Sequence, residues 1–120
     1  MQKDKILICD DEEPVRKSLG LILSDRYDLI FAEGGNEALD ILKTNLGIKM
    51  VLLDIKMPEK NGLAALKEIK SYNNEVAVII VTGYQSIEAA AEAIKSGASN
   101  YIVKPLDSKN VLDTIEKSLS

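Results

Sequence analysis

The sequence predicts an α/β fold, a doubly wound five-stranded parallel sheet in flavodoxin-like order 2-1-3-4-5 with helices on both faces. Three observations carry that expectation. Short apolar runs alternate with stretches whose apolar residues recur at helical spacing. The strongest runs, Val51-Leu52-Leu53 and Val76-Ala77-Val78-Ile79-Ile80-Val81, are continuously apolar, as strands buried on both faces must be. The connections are short, and crossovers between parallel strands are right-handed, so consecutive helices are distributed over the two faces.

Lys5-Ile6-Leu7-Ile8-Cys9 reads as the first strand, stopping at Asp10-Asp11. Helix one starts near Glu13-Pro14, where the missing N–H of Pro14 costs nothing. Val15, Leu19, Ile22 and Leu23 share its inward face, Arg16 and Lys17 its outward one, and Gly20 marks a close approach to the sheet. Tyr27–Ala32 is a weaker, more alternating strand that suits an edge. Asn36 is positioned to cap helix two, Ala38, Leu39, Leu42 and Leu46 form its apolar face, and Gly47 closes it. Gly34-Gly35 lacks the spacing of a nucleotide-binding loop and reads as a turn. The third strand ends on Asp54, and Met57-Pro58 prevents its continuation because Pro58 has no N–H to donate. After the polar turn Glu59-Lys60-Asn61-Gly62, helix three turns Leu63, Leu66, Ile69 and Tyr72 inward. The fourth strand ends at Thr82-Gly83, and helix four runs from about Ser86 to Gly97. Ser99–Val103 is a short fifth strand followed by Lys104-Pro105. Asp107 or Ser108 caps a last helix with Val111, Leu112, Ile115 and Leu119 inward.

Composition bounds the function. The 120 residues suit one domain over 1–120 with one core. A net charge of −4, with Lys and Arg dispersed, argues against direct nucleic-acid binding by this domain. No apolar run is long enough to span a membrane, and Met1-Gln2-Lys3-Asp4 begins no signal peptide. The lone Cys9 suits a reducing compartment, so a cytoplasmic location is expected, and reads as a small buried hydrophobe. With no His, neither imidazole catalysis nor His metal ligation is available, and any metal must be held by oxygen.

In the predicted strand order, the carboxyl edge of the sheet collects Asp10 and Asp11 from strand one, Asp54 from strand three, Thr82 from strand four and Lys104 from strand five. Close carboxylates repel one another unless a cation binds between them or their pKa values rise. Mg²⁺ fits best, being held by one or two carboxylates together with waters and phosphate oxygens. A metal, an ammonium and a hydroxyl around one carboxylate suit phosphoryl transfer, with Asp54 as the nucleophile that becomes an acyl phosphate. Each residue has a plainer reading when taken singly. Asp54 could cap a turn, Asp10-Asp11 could favour a helix N-terminus, and Lys104 could be a solvated surface lysine. Four strand ends with complementary chemistry argue for a site.

The ordered set Asp10-Asp11, Asp54, Met57-Pro58, Gly62, Thr82-Gly83, Gly97-Ala98, Tyr101 and Lys104-Pro105 resembles the receiver domains of two-component response regulators, over essentially the whole chain. The resemblance implies that Asp54 is the phosphoacceptor. It further implies that Asp11, Asp54 and the carbonyl of Lys56 ligate Mg²⁺, with Asp10 reaching the ion through water. Lys104 would contact the phosphoryl group, the Lys104-Pro105 bond would be cis, and Thr82 with Tyr101 would form a switch pair. Phosphorylation would then alter the surface of helix four, strand five and helix five. Implied partners are a sensor histidine kinase or phosphotransfer protein, an output domain or effector, and a second copy in a phosphorylation-dependent homodimer. Thr82-Gly83-Tyr84, the Ala89-Ala90-Ala91 run and Lys104-Pro105-Leu106-Asp107 most resemble receivers attached to AAA+ transcriptional activators. Lys56 and Tyr84, each two residues beyond a site residue, are expected to hinder the hydrolytic water and prolong the phosphorylated state. The enzymatic alternative is a small Mg²⁺-dependent phosphohydrolase with an aspartyl-phosphate intermediate. Lys56 stands where an enzyme resembling the haloacid dehalogenases needs a second acid.

Overall fold

The computed structural model describes residues 3–56, 61–83 and 87–119. Ten elements alternate: β1 (Lys5–Cys9), α1 (Glu13–Leu23), β2 (Asp28–Ala32), α2 (Gly35–Thr44), β3 (Ile48–Asp54), α3 (Gly62–Tyr72), β4 (Ala77–Thr82), α4 (Ile87–Lys95), β5 (Asn100–Val103) and α5 (Ser108–Leu119). The strands form one parallel sheet in the order β2-β1-β3-β4-β5, as the sequence predicts.

The continuous apolar runs are explained by two cores, one on each side of the pleat. Leu7, Cys9, Val51, Leu53, Val78 and Ile80 face α2, α3 and α4, where they meet Leu39, Leu42, Leu66, Ile69, Ala90 and Ala93. Ile6, Ile8, Met50, Leu52, Ile79, Val81 and Ile102 face α1 and α5, meeting Leu19, Leu23, Val111 and Ile115. Neighbouring residues point to opposite faces, so the middle of an interior strand covered on both sides is apolar throughout, and polar residues such as Lys49, Asp54 and Thr82 fall near the strand ends. β2, on the edge, is correspondingly less buried.

Several local expectations give way to other contacts. α2 begins at Gly35, so Asn36 lies inside its first turn and does not cap it; Glu37 instead reaches back, its Oε1 accepting from the Glu33 N–H at 2.8 Å. The same helix stops at Thr44, where Asn45 turns extended and its Nδ2 donates to the Ile41 carbonyl. Asn45, not Gly47, closes the helix. Leu46 has therefore left the helical period and is 91% exposed. Tyr72, the last residue of α3, is half exposed rather than inward. Arg16 is not outward: its Nη1 donates to the Asp10 carbonyl at 2.8 Å, tying α1 to the end of β1. Gly20 meets the sheet only through the Phe31 ring, at ordinary contact distance for an added Cβ. Gly97, after α4, has φ +113, a left-handed conformation that favours glycine. The breaks expected at Met57-Pro58 and Glu59-Lys60, the role of Tyr84 and the start of helix four at Ser86 lie outside the described residues.

Candidate phosphoacceptor site at the carboxyl edge

Strand register assembles the site. Cys9 pairs with Leu53, so Asp10 emerges beside Asp54; Asp54 pairs with Val81, and Thr82 with Val103, so Lys104 follows immediately. The Lys104 N–H donates to the Thr82 carbonyl at 2.7 Å, and the Lys104–Pro105 peptide is cis. Asp54 shares the pleat direction of Met50 and Leu52, toward α1 and α5, whereas Thr82 shares that of Val78 and Ile80, toward α4. Tyr101 pairs with Ile80 and is 39% exposed.

Asp54 is buried, and its Oδ1 accepts from the Lys56 N–H at 3.2 Å. Behind it, Gly62 donates its N–H to the Ile55 carbonyl at 2.7 Å. A Cβ on Gly62 would come within 2.6 Å of the Asp54 carbonyl and the Ile55 Cα, so only glycine lets α3 start this close to β3. Asn61 caps that start, its Oδ1 accepting from the Ala64 N–H.

Asp10 is also buried. Its Oδ1 accepts from the Glu12 N–H at 2.9 Å, while its Oδ2 is buried with no hydrogen-bond partner among the described residues. The nearest cation is Lys104, whose Nζ lies 3.6 Å from that Oδ2 and 3.6 Å from Glu12 Oε1, ion-pair distances too long for hydrogen bonds. One carboxylate oxygen each from Asp10, Glu12 and Asp54 lie within 4.8 Å of one another. Asp11 is exposed and outside that trio. Sequence reasoning did not single out Glu12; nothing in the residue order distinguishes it from Glu13 as a helix-start acid.

Electrostatics reflects the crowding. Burial, then the Asp10 charge, pushes the Asp54 carboxyl up to about 6, against the opposing pull of Lys104. Asp10 is raised too, first by burial. Burial and these same carboxylates push the Cys9 thiol up to about 12, which keeps it protonated and unreactive. Among the described residues, the Thr82 hydroxyl donates to the neighbouring Gly83 carbonyl, at 3.3 Å. An orphaned buried oxygen amid three hard carboxylate donors fits a divalent cation held by oxygen. No described helix is long and apolar enough to cross a membrane.

Comparison with known proteins agrees with this geometry. The chain is 40% identical over 116 residues to the transcriptional regulatory protein ZraR of Escherichia coli K12, covering 96% of this chain and 26% of that protein. It thus spans about a quarter of the length of such relatives. It is 36% identical to the chemotaxis protein CheY of Treponema pallidum, over 96% of this chain and 82% of that one. The crystal structure of the receiver domain of NtrX from Brucella abortus superimposes with a TM-score of 0.91 at 33% identity, covering 95% of this chain and 97% of that chain. Residues 6–116 match the response regulator receiver domain, and the chain belongs to that family.

Proposed function

We propose that Asp54 takes a phosphoryl group from a partner histidine kinase or phosphotransfer protein and that this controls an output domain or effector. The observation that carries the reading is the buried Asp10–Asp54 pair beside Lys104, with the Asp10 Oδ2 lacking a hydrogen-bond partner among the described residues. An Asp54 oxygen attacks phosphorus, and the bond from phosphorus to the donor nitrogen, or to oxygen of a small acyl phosphate, breaks with its electrons leaving on the donor. Asp10 and Asp54, with Asp11 and the Lys56 carbonyl by family resemblance, would hold Mg²⁺. When bound, the ion supplies positive charge that offsets the charge on the phosphoryl oxygens. The Lys104 ammonium pairs with one phosphoryl oxygen and the Thr82 hydroxyl with another.

The acceptor regulates and has no substrate of its own beyond its phosphorylation and dephosphorylation. Thr82 lies on the pleat face that α4 covers, so its movement toward the phosphoryl group draws on the segment before that helix, and Tyr101 turns inward behind it. The α4–β5–α5 surface then favours a different partner, a second copy of the chain among them. Relatives named as regulatory proteins, of which this chain matches about a quarter, support an output domain beyond this one; by the sequence resemblance that domain is of the AAA+ kind, with DNA contacted elsewhere than in this domain. A cytoplasmic setting belongs to the same reading. Beryllofluoride with Mg²⁺, followed by amide NMR and light scattering, tests it. Shifts at Thr82, α4 and β5 are expected; shifts confined to the residues around Asp54 would contradict the switch.

A further inference from the structure

Asn61-Gly62 joins two residue types that react with each other when the backbone allows it. Of the asparagines in the sequence, only Asn61 precedes a glycine. In such a pair the glycine nitrogen gives up its proton and attacks the side-chain amide carbon of the asparagine. The side-chain nitrogen takes up a proton and leaves as ammonia, and a five-membered imide remains. Water then opens either imide carbonyl, giving aspartate or isoaspartate. Glycine permits ring closure best, because no Cβ restricts its backbone. In this fold both reacting groups are engaged. The Gly62 N–H donates to the Ile55 carbonyl at 2.7 Å, and the Asn61 Oδ1 accepts from the Ala64 N–H at 2.9 Å. The Asn61 backbone is extended, with φ −67 and ψ 159, and its amide is turned to the first turn of α3.

We propose that Asn61 is a latent deamidation site guarded by the β3–α3 junction, intact while the junction is closed and reacting in molecules whose junction has opened. Attack needs the Gly62 nitrogen stripped of its proton, and in the closed junction that lone pair would face the Ile55 carbonyl oxygen. It also needs the Asn61 side chain to turn from Ala64 to Gly62, which breaks the cap. The rate in the folded protein is therefore the rate in the opened chain multiplied by the fraction open. The two products differ in what they do to the junction. Aspartate at position 61 keeps the capping oxygen, and its charge suits a helix N-terminus. Isoaspartate lengthens the main chain by one carbon just before Gly62, where the backbone already lies too close to Asp54 and Ile55 to admit a Cβ. It cannot restore the Gly62–Ile55 bond without displacing α3 from β3.

Incubation of the full chain at mildly alkaline pH, with and without denaturant, tests the guard when peptide mapping follows the aspartyl and isoaspartyl forms at position 61. The folded protein is expected to lose the amide at least about tenfold more slowly than the denatured chain. Ala64→Pro removes the donor to the cap at a first-turn position where proline is tolerated. It is expected to react faster than the parent when folded and equally fast when denatured. Asn61→Asp should unfold at the denaturant midpoint of the parent, and the isoaspartyl fraction at a lower one. Equal rates for the folded and denatured parent overturn the proposal, whether or not the variant folds. So does a folded Ala64→Pro that loses the amide no faster than the parent, or an isoaspartyl fraction as stable as Asn61→Asp.

Discussion

Two half-buried lysines, at opposite ends of the sheet, differ in what surrounds their ammonium groups. Lys70, near the end of α3, donates to the Asn74 and Val76 carbonyls, each at 2.9 Å, and its stem fills the space that a Cβ on Gly97 would approach. Burial holds its pKa below the ordinary lysine value. Lys104, at the carboxyl edge, has two ion pairs at 3.6 Å beside an oxygen that accepts no hydrogen bond among the described residues. Lys70 completes the turn before β4 and is a structural tie. Lys104 stands in an edge whose polar groups are incompletely satisfied by the protein alone, as expected where a ligand finishes the network.

The difference can be broken at either end, and the acidic edge should respond most. The Asp54 carboxyl is raised from 3.8 to about 6, so the folded state holds its proton more tightly than the unfolded chain. Stability from this group therefore falls as pH rises from about 4 through 6, and the full penalty applies above that window. Asp54→Asn in metal-free buffer should raise the unfolding free energy at pH 7 by up to about 3 kcal/mol, a gain that vanishes near pH 4. Denaturant melts across that range check both sign and window; a destabilised Asp54→Asn at pH 7 would mean the edge is not strained. Mg²⁺ should raise the melting temperature of the parent more than that of the variant.

Gly62→Ala should destabilise by about 1–3 kcal/mol, since its Cβ meets fixed backbone rather than a side chain that can move. Equilibrium unfolding measures this, and a neutral outcome would show that the β3–α3 junction can shift. The smallest effect is expected at the satisfied end. Lys70→Met keeps the stem but removes the donor, and should cost about 1 kcal/mol with phosphorylation unchanged. If Lys70→Met altered phosphorylation as Lys104→Met does, the contrast between structural and functional lysines would fail.

What the sequence made legible follows from how each feature is encoded. The sheet order and the placing of Asp10, Asp54, Thr82 and Lys104 at or just beyond strand ends on one edge rest on continuous apolar runs and on where they stop, which are local and redundant signals. Helix ends were less legible because they depend on single competing hydrogen bonds. Asn45 stops α2 before Gly47 can, and Leu46 is exposed in consequence. Arg16 and Glu12 were missed as site neighbours for a related reason. Their contacts run to Asp10 and Lys104, and the latter is brought close only by the parallel sheet. Gly62 carried a legible family signal, but its physical reason, a backbone approach that excludes any Cβ, appears only in three dimensions.

The central claim is that the incompletely satisfied edge exists to receive a phosphoryl group on Asp54. Intact-mass measurement after incubation with acetyl phosphate and Mg²⁺, with peptide mapping of the adduct, addresses it most directly. The account predicts a single phosphoryl increment on the peptide containing Asp54, absent without Mg²⁺ and absent in Asp54→Ala. No increment on the parent, or one that persists in Asp54→Ala, would contradict it.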